Sequence, residues 1–348
     1  MALRVALIGY GTGGAVFHAP LISSVPDLRL AAVVTGDPGR REEVARRYPD
    51  AKVLDSADRL WEVSDGYDLV VVAAPNRQHV PLARTALTCE LAVVVDKPVA
   101  ASVADARSLA ALSAVRGAPV VPFHNRRWDG DFRTVRRLVA DGALGEVRRF
   151  ESRFERWRPE VKAGWKESDD PRDAGGILFD LGSHLIDQAV ALFGRPVQVY
   201  AELDARREGA RAADDAFVAL THADGVRSHL WMSATASQLG PRFRVMGSRA
   251  AYSVHGLDGQ EGALRAGLTP KDPGWGMTPP EAHGLLGTPG EERPEPTDNG
   301  AYQDFYGGVA RALRAGAPPP VDLADAITGL EIIEAALVSA RESRTVSL

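Results

Sequence analysis

The chain has 348 residues, 45% hydrophobic and 25% charged, ordinary usage for a protein long enough for two folded domains, which excludes disorder, collagen-like repeats and low complexity. Its formal net charge of −5 is spread along the chain with no basic stripe, which argues against nucleic acid and against an anionic membrane surface as partners. The single cysteine, Cys89, excludes an internal disulfide framework and a cysteine-based zinc cluster and suits the cytoplasm. The N-terminal apolar run turns glycine-rich after eight residues, too soon for a signal peptide, and no run of about 18 apolar residues predicts a membrane span.

Residues 3–8, LRVALI, form a branched apolar run followed by GYGTGG and by VFHAPLISSV, a helical pattern stopped by Pro26. Strand patterns recur at 28–35, 51–54, 67–75, 91–98 and 118–124, with helical patterns at 41–48, 79–87 and 103–115. Near-continuous Val and Ala runs mark strands buried on both faces of a parallel sheet. Residues 1–123 are therefore predicted to form a doubly wound α/β domain.

From residue 124 the pattern changes. A helix over 131–140 leads to EVRRFESRFERW (146–157), whose alternation fits a strand with one covered face. QVYAELDAR, DAFVALTHA, VRSHLWMSAT, RFRVMG and AAYSVH follow and predict a mostly antiparallel sheet. Helices are predicted at 179–193 and 324–343. Residues 269–300, rich in Pro and Gly without periodicity, read as a long ordered excursion or a flexible loop. Residues 124–348 are assigned to a second domain.

Three segments carry chemistry. Gly9, Gly11 and Gly14 make G-x-G-x-x-G between a strand and a helix, so the turn Gly9, Tyr10, Gly11, Thr12, Gly13 and Gly14 is a candidate cradle for a dinucleotide pyrophosphate. About 20 residues on, Thr35 with Arg40 and Arg41 favours NADP, whereas Asp37 argues for NAD. Ala74, Pro75, Asn76 and His79 follow the strand that ends near 72, where a dinucleotide passes in such sheets, although Asn76 and His79 equally suit a helix cap.

Lys97 is one of five lysines in the chain. It follows VVVD at a strand's carboxyl end and precedes Pro98, so a buried run delivers one ammonium able to stabilise a developing alkoxide; the plain alternative is a surface lysine paired with Asp96. In GGILFDLGSHLIDQAVALFG, Leu178, Leu181, Leu185, Ala189 and Leu192 form an apolar helical stripe, and Asp180, His184 and Asp187 run beside it. At helical spacing Asp180 and His184 point the same way, as an oriented imidazole base or as a solvated face. No P-loop, H-E-x-x-H or G-x-S-x-G pattern competes, and no metal site is expected.

The order of the glycine fingerprint, APN (74–76), DKP (96–98) and GGILFDLGSH (175–184) resembles the glucose-fructose oxidoreductase/inositol dehydrogenase/MocA (Gfo/Idh/MocA) family. Within it, GYGTGGAVFHAPLI (9–22), FHNRRWDGDF (123–132), ERWRPEV (155–161), LFDLGSHLIDQA (178–189) and DGQEGALRAG (258–267) are similar to the NADP-dependent scyllo-inositol dehydrogenases. The resemblance implies a Rossmann domain followed by an α/β domain with a large open sheet, whose exposed face makes a homodimer or homotetramer. It places Lys97, with Asp96 in place of the usual Glu, beside the carbinol oxygen, gives His184 the hydroxyl proton and gives Asp180 the task of orienting a polyol or sugar. His124, Asn125, Arg126, Arg127, Trp157 and Arg158 become candidates for the substrate rim. The departure lies at Thr35-Gly36-Asp37, where the subgroup often has Thr-Ser-Arg. Other readings are a dehydrogenase of an aldose or sugar acid and a non-catalytic nucleotide-binding regulator. Lys97 with His184 separates the last, because a pure binder needs neither group.

Overall fold

The computed structural model describes residues 1–162 and 164–348. Six parallel strands open the chain: β1 (Leu3–Ile8), β2 (Leu28–Val34), β3 (Lys52–Leu54), β4 (Leu69–Val72), β5 (Ala92–Asp96) and β6 (Val120–Phe123), ordered β3-β2-β1-β4-β5-β6. Val70–Val72 and Val93–Val95 have no exposed surface, because helices cover both faces of the sheet. Each such side chain contributes roughly 1.5–3 kcal/mol of burial, so hydrophobicity alone commits these short runs to the centre. The order reverses between β1 and β4, and in doubly wound sheets ligands bind beyond the carboxyl ends of the strands at such a point.

The helices of this part are α1 (Ala19–Ser24), α2 (Pro38–Arg47), α3 (Ala57–Trp61), α4 (His79–Thr88) and α5 (Val103–Arg116). Two depart from expectation. The helix after the glycine turn begins as a wide π turn, Gly13–His18, before α1. Helix α2 starts at Pro38 rather than 41, since the Asp37 carboxylate caps it by accepting from Arg40 N–H at 2.9 Å.

Nine strands form the second sheet: β7 (Val147–Glu155), β8 (Pro196–Asp204), β9 (Asp215–His222), β10 (Arg227–Ser233), β11 (Phe243–Gly247), β12 (Ala251–Val254), β13 (Gly284–Gly287), β14 (Arg293–Glu295) and β15 (Val346–Ser347). Their order is β14-β13-β12-β11-β7-β10-β9-β8-β15, antiparallel except where β7 and β10 run parallel. One face, with Phe150, Phe154, Val218, Leu230, Phe243 and Val245, is sealed in a core with α6 (Gly130–Ala140), α7 (Ser183–Phe193) and α10 (Leu323–Glu342). The other carries half-buried Phe217, His229 and Trp231, with the Arg153 guanidinium 4.0 Å from the Trp231 ring centre.

The chain divides into two compact units, and the first takes in 1–125 together with 260–275 and 301–324. A single cut after residue 123 therefore omits two returning segments, which bring α8 (Gln260–Arg265) and α9 (Gln303–Ala315) to the first unit. Helix α9 escapes periodicity reading because Gly307-Gly308 interrupts it. A Cβ at Gly308 would stand 2.7 Å from Pro320 Cβ, so packing, not propensity, chose that residue. The Pro- and Gly-rich stretch is no loose loop: 276–300 supplies β13 and the edge strand β14 and is tied to α6 by Asp298 N–H to Thr134 Oγ1 at 2.8 Å and by Arg137 to Glu295 and Asp298.

Candidate active site

In the first unit the glycine turn has one open side. Gly9 has φ +98°, where a Cβ would also meet the Ala73 carbonyl oxygen at 2.5 Å, so only glycine serves there. A Cβ on Gly14 would lie 2.0 Å from the Gly9 carbonyl oxygen, and one on Gly13 would lie 2.8 Å from Asp96 Oδ2. At Gly11 a Cβ would meet nothing within 4 Å. The turn is thus packed against protein at Gly9, Gly13 and Gly14 and open at Gly11, which is the room a pyrophosphate requires to reach backbone N–H groups at a helix start. Thr12 is exposed beside it. Tyr10 is not: its ring is buried and its phenol is pushed up to about 12 by burial, with Tyr48 adding to the effect. Only its backbone faces the turn.

Thr35 is buried and its N–H bonds the Leu54 carbonyl at 2.9 Å, leaving Gly36 and Arg40 exposed beyond it. Arg41 lines a surface cavity with Lys52, Asp55, Arg59 and Glu62. After β4, Ala74 is partly covered, Pro75 exposed and Asn76 buried. His79 departs from the expected cofactor contact. Its ring is 1% exposed and bridges two loops, Nδ1 to the Pro98 carbonyl at 2.8 Å and Nε2 to the Ala74 carbonyl at 2.9 Å. It holds the loops that follow β4 and β5 at a fixed separation.

Lys97 emerges half-buried at the end of β5, ahead of a cis peptide to Pro98. Its N–H donates to Asp96 Oδ1 at 2.8 Å. Burial pushes the Asp96 carboxyl up, but His18, then His79 and Lys97, outweigh it and hold it down at about 2. His124 and Asn125 are buried just beyond β6.

In the second unit the helix bearing the predicted acid–base pair is not uniform. Leu178–Gly182 is a π turn and α7 begins only at Ser183, so the relation of Asp180 to His184 is set by a wide turn rather than by α spacing; such turns concentrate at functional sites. Strand β10 presses on this turn, since a Cβ at Gly182 would lie 2.8 Å from Met232 Sδ. The apolar stripe is where periodicity placed it, with Leu178, Leu181, Leu185 and Ala189 buried, but His184 and Asp187 are buried as well. Asp180 accepts from Lys166 Nζ at 2.7 Å, a partner no sequence pattern signals.

Arg127 departs from the expected substrate rim. Its guanidinium grips Asp187 with two bonds of 2.9 and 2.7 Å and reaches Asp325 at 2.9 Å. Burial opposes the charge, but the two carboxylates outweigh it and hold its pKa above the usual value. One residue on from Asp187, Gln188 donates to the Arg126 carbonyl at 2.8 Å and accepts from Arg242. Helix α7 is thereby fastened by consecutive residues to the Arg126 carbonyl and the Arg127 side chain. Arg158 is exposed, its N–H bonded to the Ala234 carbonyl at 2.7 Å, and Trp157 beside it is also exposed.

A doubly wound sheet with this glycine turn and a strand-end lysine, followed by a domain with a buried helix histidine, defines a two-domain nicotinamide-dinucleotide oxidoreductase. Residues 3–124 match the oxidoreductase family's NAD-binding Rossmann fold, and residues 136–348 match its C-terminal alpha/beta domain. The chain belongs to this Gfo/Idh/MocA family and is an NAD(P)-dependent dehydrogenase of CH–OH groups. It is 35% identical over 350 residues to scyllo-inositol 2-dehydrogenase (NADP(+)) IolW of Bacillus subtilis, covering 99% of this chain and 96% of that one. The oxidoreductase YdgJ of Escherichia coli is 39% identical over 350 residues, with 99% of each chain covered. The solved structure of the oxidoreductase yvaA from Bacillus subtilis matches with a TM-score of 0.93 and 34% identity over 100% of both chains.

Proposed function

We propose that the enzyme interconverts a secondary hydroxyl and a ketone on a cyclic polyol, namely scyllo-inositol and its keto form, with NADP as the favoured dinucleotide. The full-length similarity to scyllo-inositol 2-dehydrogenase (NADP(+)) carries this reading. The end of β2 supports the cofactor choice. Asp37, the residue that favours NAD, has its carboxylate turned onto the Arg40 amide as a helix cap, leaving the exposed Arg40 side chain for a 2′-phosphate.

When bound, the nicotinamide supplies the hydride acceptor for the carbinol carbon. The Lys97 ammonium donates to the carbinol oxygen and steadies the charge that grows on it as the hydride leaves. His184 takes the hydroxyl proton on oxidation and returns it on reduction. Asp180, held by Lys166, accepts from a neighbouring hydroxyl and orients the ring. His124, Asn125 and Arg158 belong to the rim. The Gly9–Gly14 turn, Thr35, Arg40, Ala74, Pro75, Asn76, Lys97 and Pro98 hold the dinucleotide.

We place the enzyme in the cytoplasm as a homodimer or homotetramer joined through the open face of the nine-stranded sheet, where the rings of Phe217, His229 and Trp231 meet in edge-to-face and tilted contacts. Sedimentation of Trp231→Glu tests that interface, and an unchanged assembly refutes it. The function is tested by nicotinamide absorbance with NADP and NAD, each offered against scyllo-inositol, myo-inositol, aldoses and sugar acids. Reduction of NADP by scyllo-inositol is expected. Turnover confined to an aldose or sugar acid refutes the named substrate, and dinucleotide binding without any turnover favours the regulator.

A further inference from the structure

Below the glycine turn lies a buried chain of polar groups that the proposed reaction does not use. His18 ends the π turn that follows the glycines and has no exposed surface. Its Nδ1 lies 2.6 Å from the hydroxyl of Tyr306 on α9, which is also fully buried. Its Nε2 faces Asp96 Oδ2 at 3.6 Å, longer than a hydrogen bond. The other oxygen of that carboxylate accepts the Lys97 N–H at 2.8 Å. The ring is held from the side by Phe123, with centroids 4.2 Å apart.

The protonation pattern follows from the partners. An ionised carboxylate only accepts, so the imidazole proton belongs on Nε2, and Nδ1 then accepts from the Tyr306 O–H. The tyrosine thus fixes the tautomer, the tautomer points a donor at Asp96, and Asp96 is left with one oxygen for the Lys97 amide. Space enforces the same arrangement, since the Asp96 carboxylate fills the place where a side chain on Gly13 would begin. The low pKa of Asp96 agrees, because His18 is the foremost group holding its charge against the cost of burial.

We propose that His18, oriented by Tyr306, is a positioning residue for Lys97, acting through Asp96 and tying the dinucleotide turn to the loop that carries the lysine. The proposal rests on the role given to Lys97 above. Its chemical sense is that an ammonium on a long flexible stem stabilises an alkoxide only if its backbone is fixed, and the Asp96 carboxylate takes part in that fixing by accepting the Lys97 N–H.

The chain has only five lysines, so reductive methylation with ¹³C-formaldehyde gives a short NMR spectrum in which Lys97→Arg identifies the Lys97 resonance without dinucleotide or turnover. His18→Phe and Tyr306→Phe are expected to displace that resonance and to leave those of Lys52, Lys162, Lys166 and Lys271 in place, while His18→Gln, which keeps a donor toward Asp96, brings it back toward the native position. A Lys97 resonance unmoved in both variants overturns the proposal. In kinetics, His18→Phe is expected to lower kcat roughly 10- to 100-fold, the scale of an ångström's misplacement, with dinucleotide affinity changed less than about threefold. In a Lys97→Ala background the same change should cost nothing further, and a fully additive loss overturns the proposal. Tyr306→Phe, which removes one hydroxyl and keeps the ring, serves if His18→Phe does not fold. Should Lys97→Ala alone keep its kcat, the assigned role of Lys97 falls, whereas the NMR comparison still decides whether His18 positions it.

Discussion

Two substitutions placed two residues apart separate binding from folding in the glycine turn. At Gly11 a methyl group meets nothing within 4 Å and the backbone φ is not in the left-handed region, so Gly11→Ala adds no strain. Reduced freedom of the unfolded chain should leave stability unchanged or raise it by about 0.4–1 kcal/mol. The same methyl group occupies the space reserved for the pyrophosphate and displaces at least one charge-assisted hydrogen bond, about 1.5–3 kcal/mol, which weakens dinucleotide binding roughly 10- to 100-fold. At Gly9 the balance inverts. The left-handed backbone costs about 1–2 kcal/mol, and the approach to the Ala73 oxygen at 2.5 Å adds overpacking of about 1–3 kcal/mol. Urea unfolding supplies the stabilities and calorimetric titration with NADP the affinities. If Gly11→Ala binds NADP like the native enzyme, the open side of the turn is not the phosphate cradle. If Gly9→Ala is as stable as the native enzyme, the strain argument fails.

Lys97→Ala and His184→Ala should each lower kcat by roughly 100-fold or more, on the scale of lost electrostatic or acid–base help, with dinucleotide affinity largely kept; near-native turnover in either variant removes that residue from the mechanism. Arg40→Ala should raise KM for NADP and leave that for NAD nearly unchanged, and equal effects on both would refute a 2′-phosphate contact. Arg127→Met removes the two-bond cationic partner of the buried Asp187 carboxylate and should cost about 3–5 kcal/mol by urea unfolding, part of which Asp187→Asn restores; a loss below about 1 kcal/mol would mean the pair behaves as a surface contact. His222 is satisfied as a neutral ring, donating from Nδ1 to the Gly194 carbonyl and accepting at Nε2 from Ser228, both at 2.9 Å, and burial holds its pKa below the usual value. The unfolded chain therefore binds the proton first, so stability is full above about pH 6.5 and falls below it by up to about 1.4 kcal/mol per pH unit. His222→Gln should flatten that decline; an equal slope in both proteins would exclude His222 as its source.

Features that depend on local chemistry and period were legible from the residues alone. The apolar runs at 3–8, 67–75 and 91–98 hold strands at 3–8, 69–72 and 92–96, because a sheet covered on both faces hides them. The glycines of 9–14, the strand-end Lys97 and the buried stripe through Leu178, Leu181 and Leu185 were legible for the same reason, each being written in consecutive or evenly spaced residues. The remaining features join residues far apart in the chain. Tyr306 reaches His18 across 288 positions, Arg127 meets Asp187 and Asp325 across 60 and 198, and the segment 276–300 finds its place only as the edge of a sheet that must exist first. Periodicity also missed both π turns, since a widened turn is imposed by what packs against it, Met232 against Gly182 and the Gly9 carbonyl against Gly14. A side chain's type can be read in one dimension; whether it is spent on a cap, as at Asp37, on a loop staple, as at His79, or on an ion pair, as at Arg127, is settled by partners that only folding brings within reach.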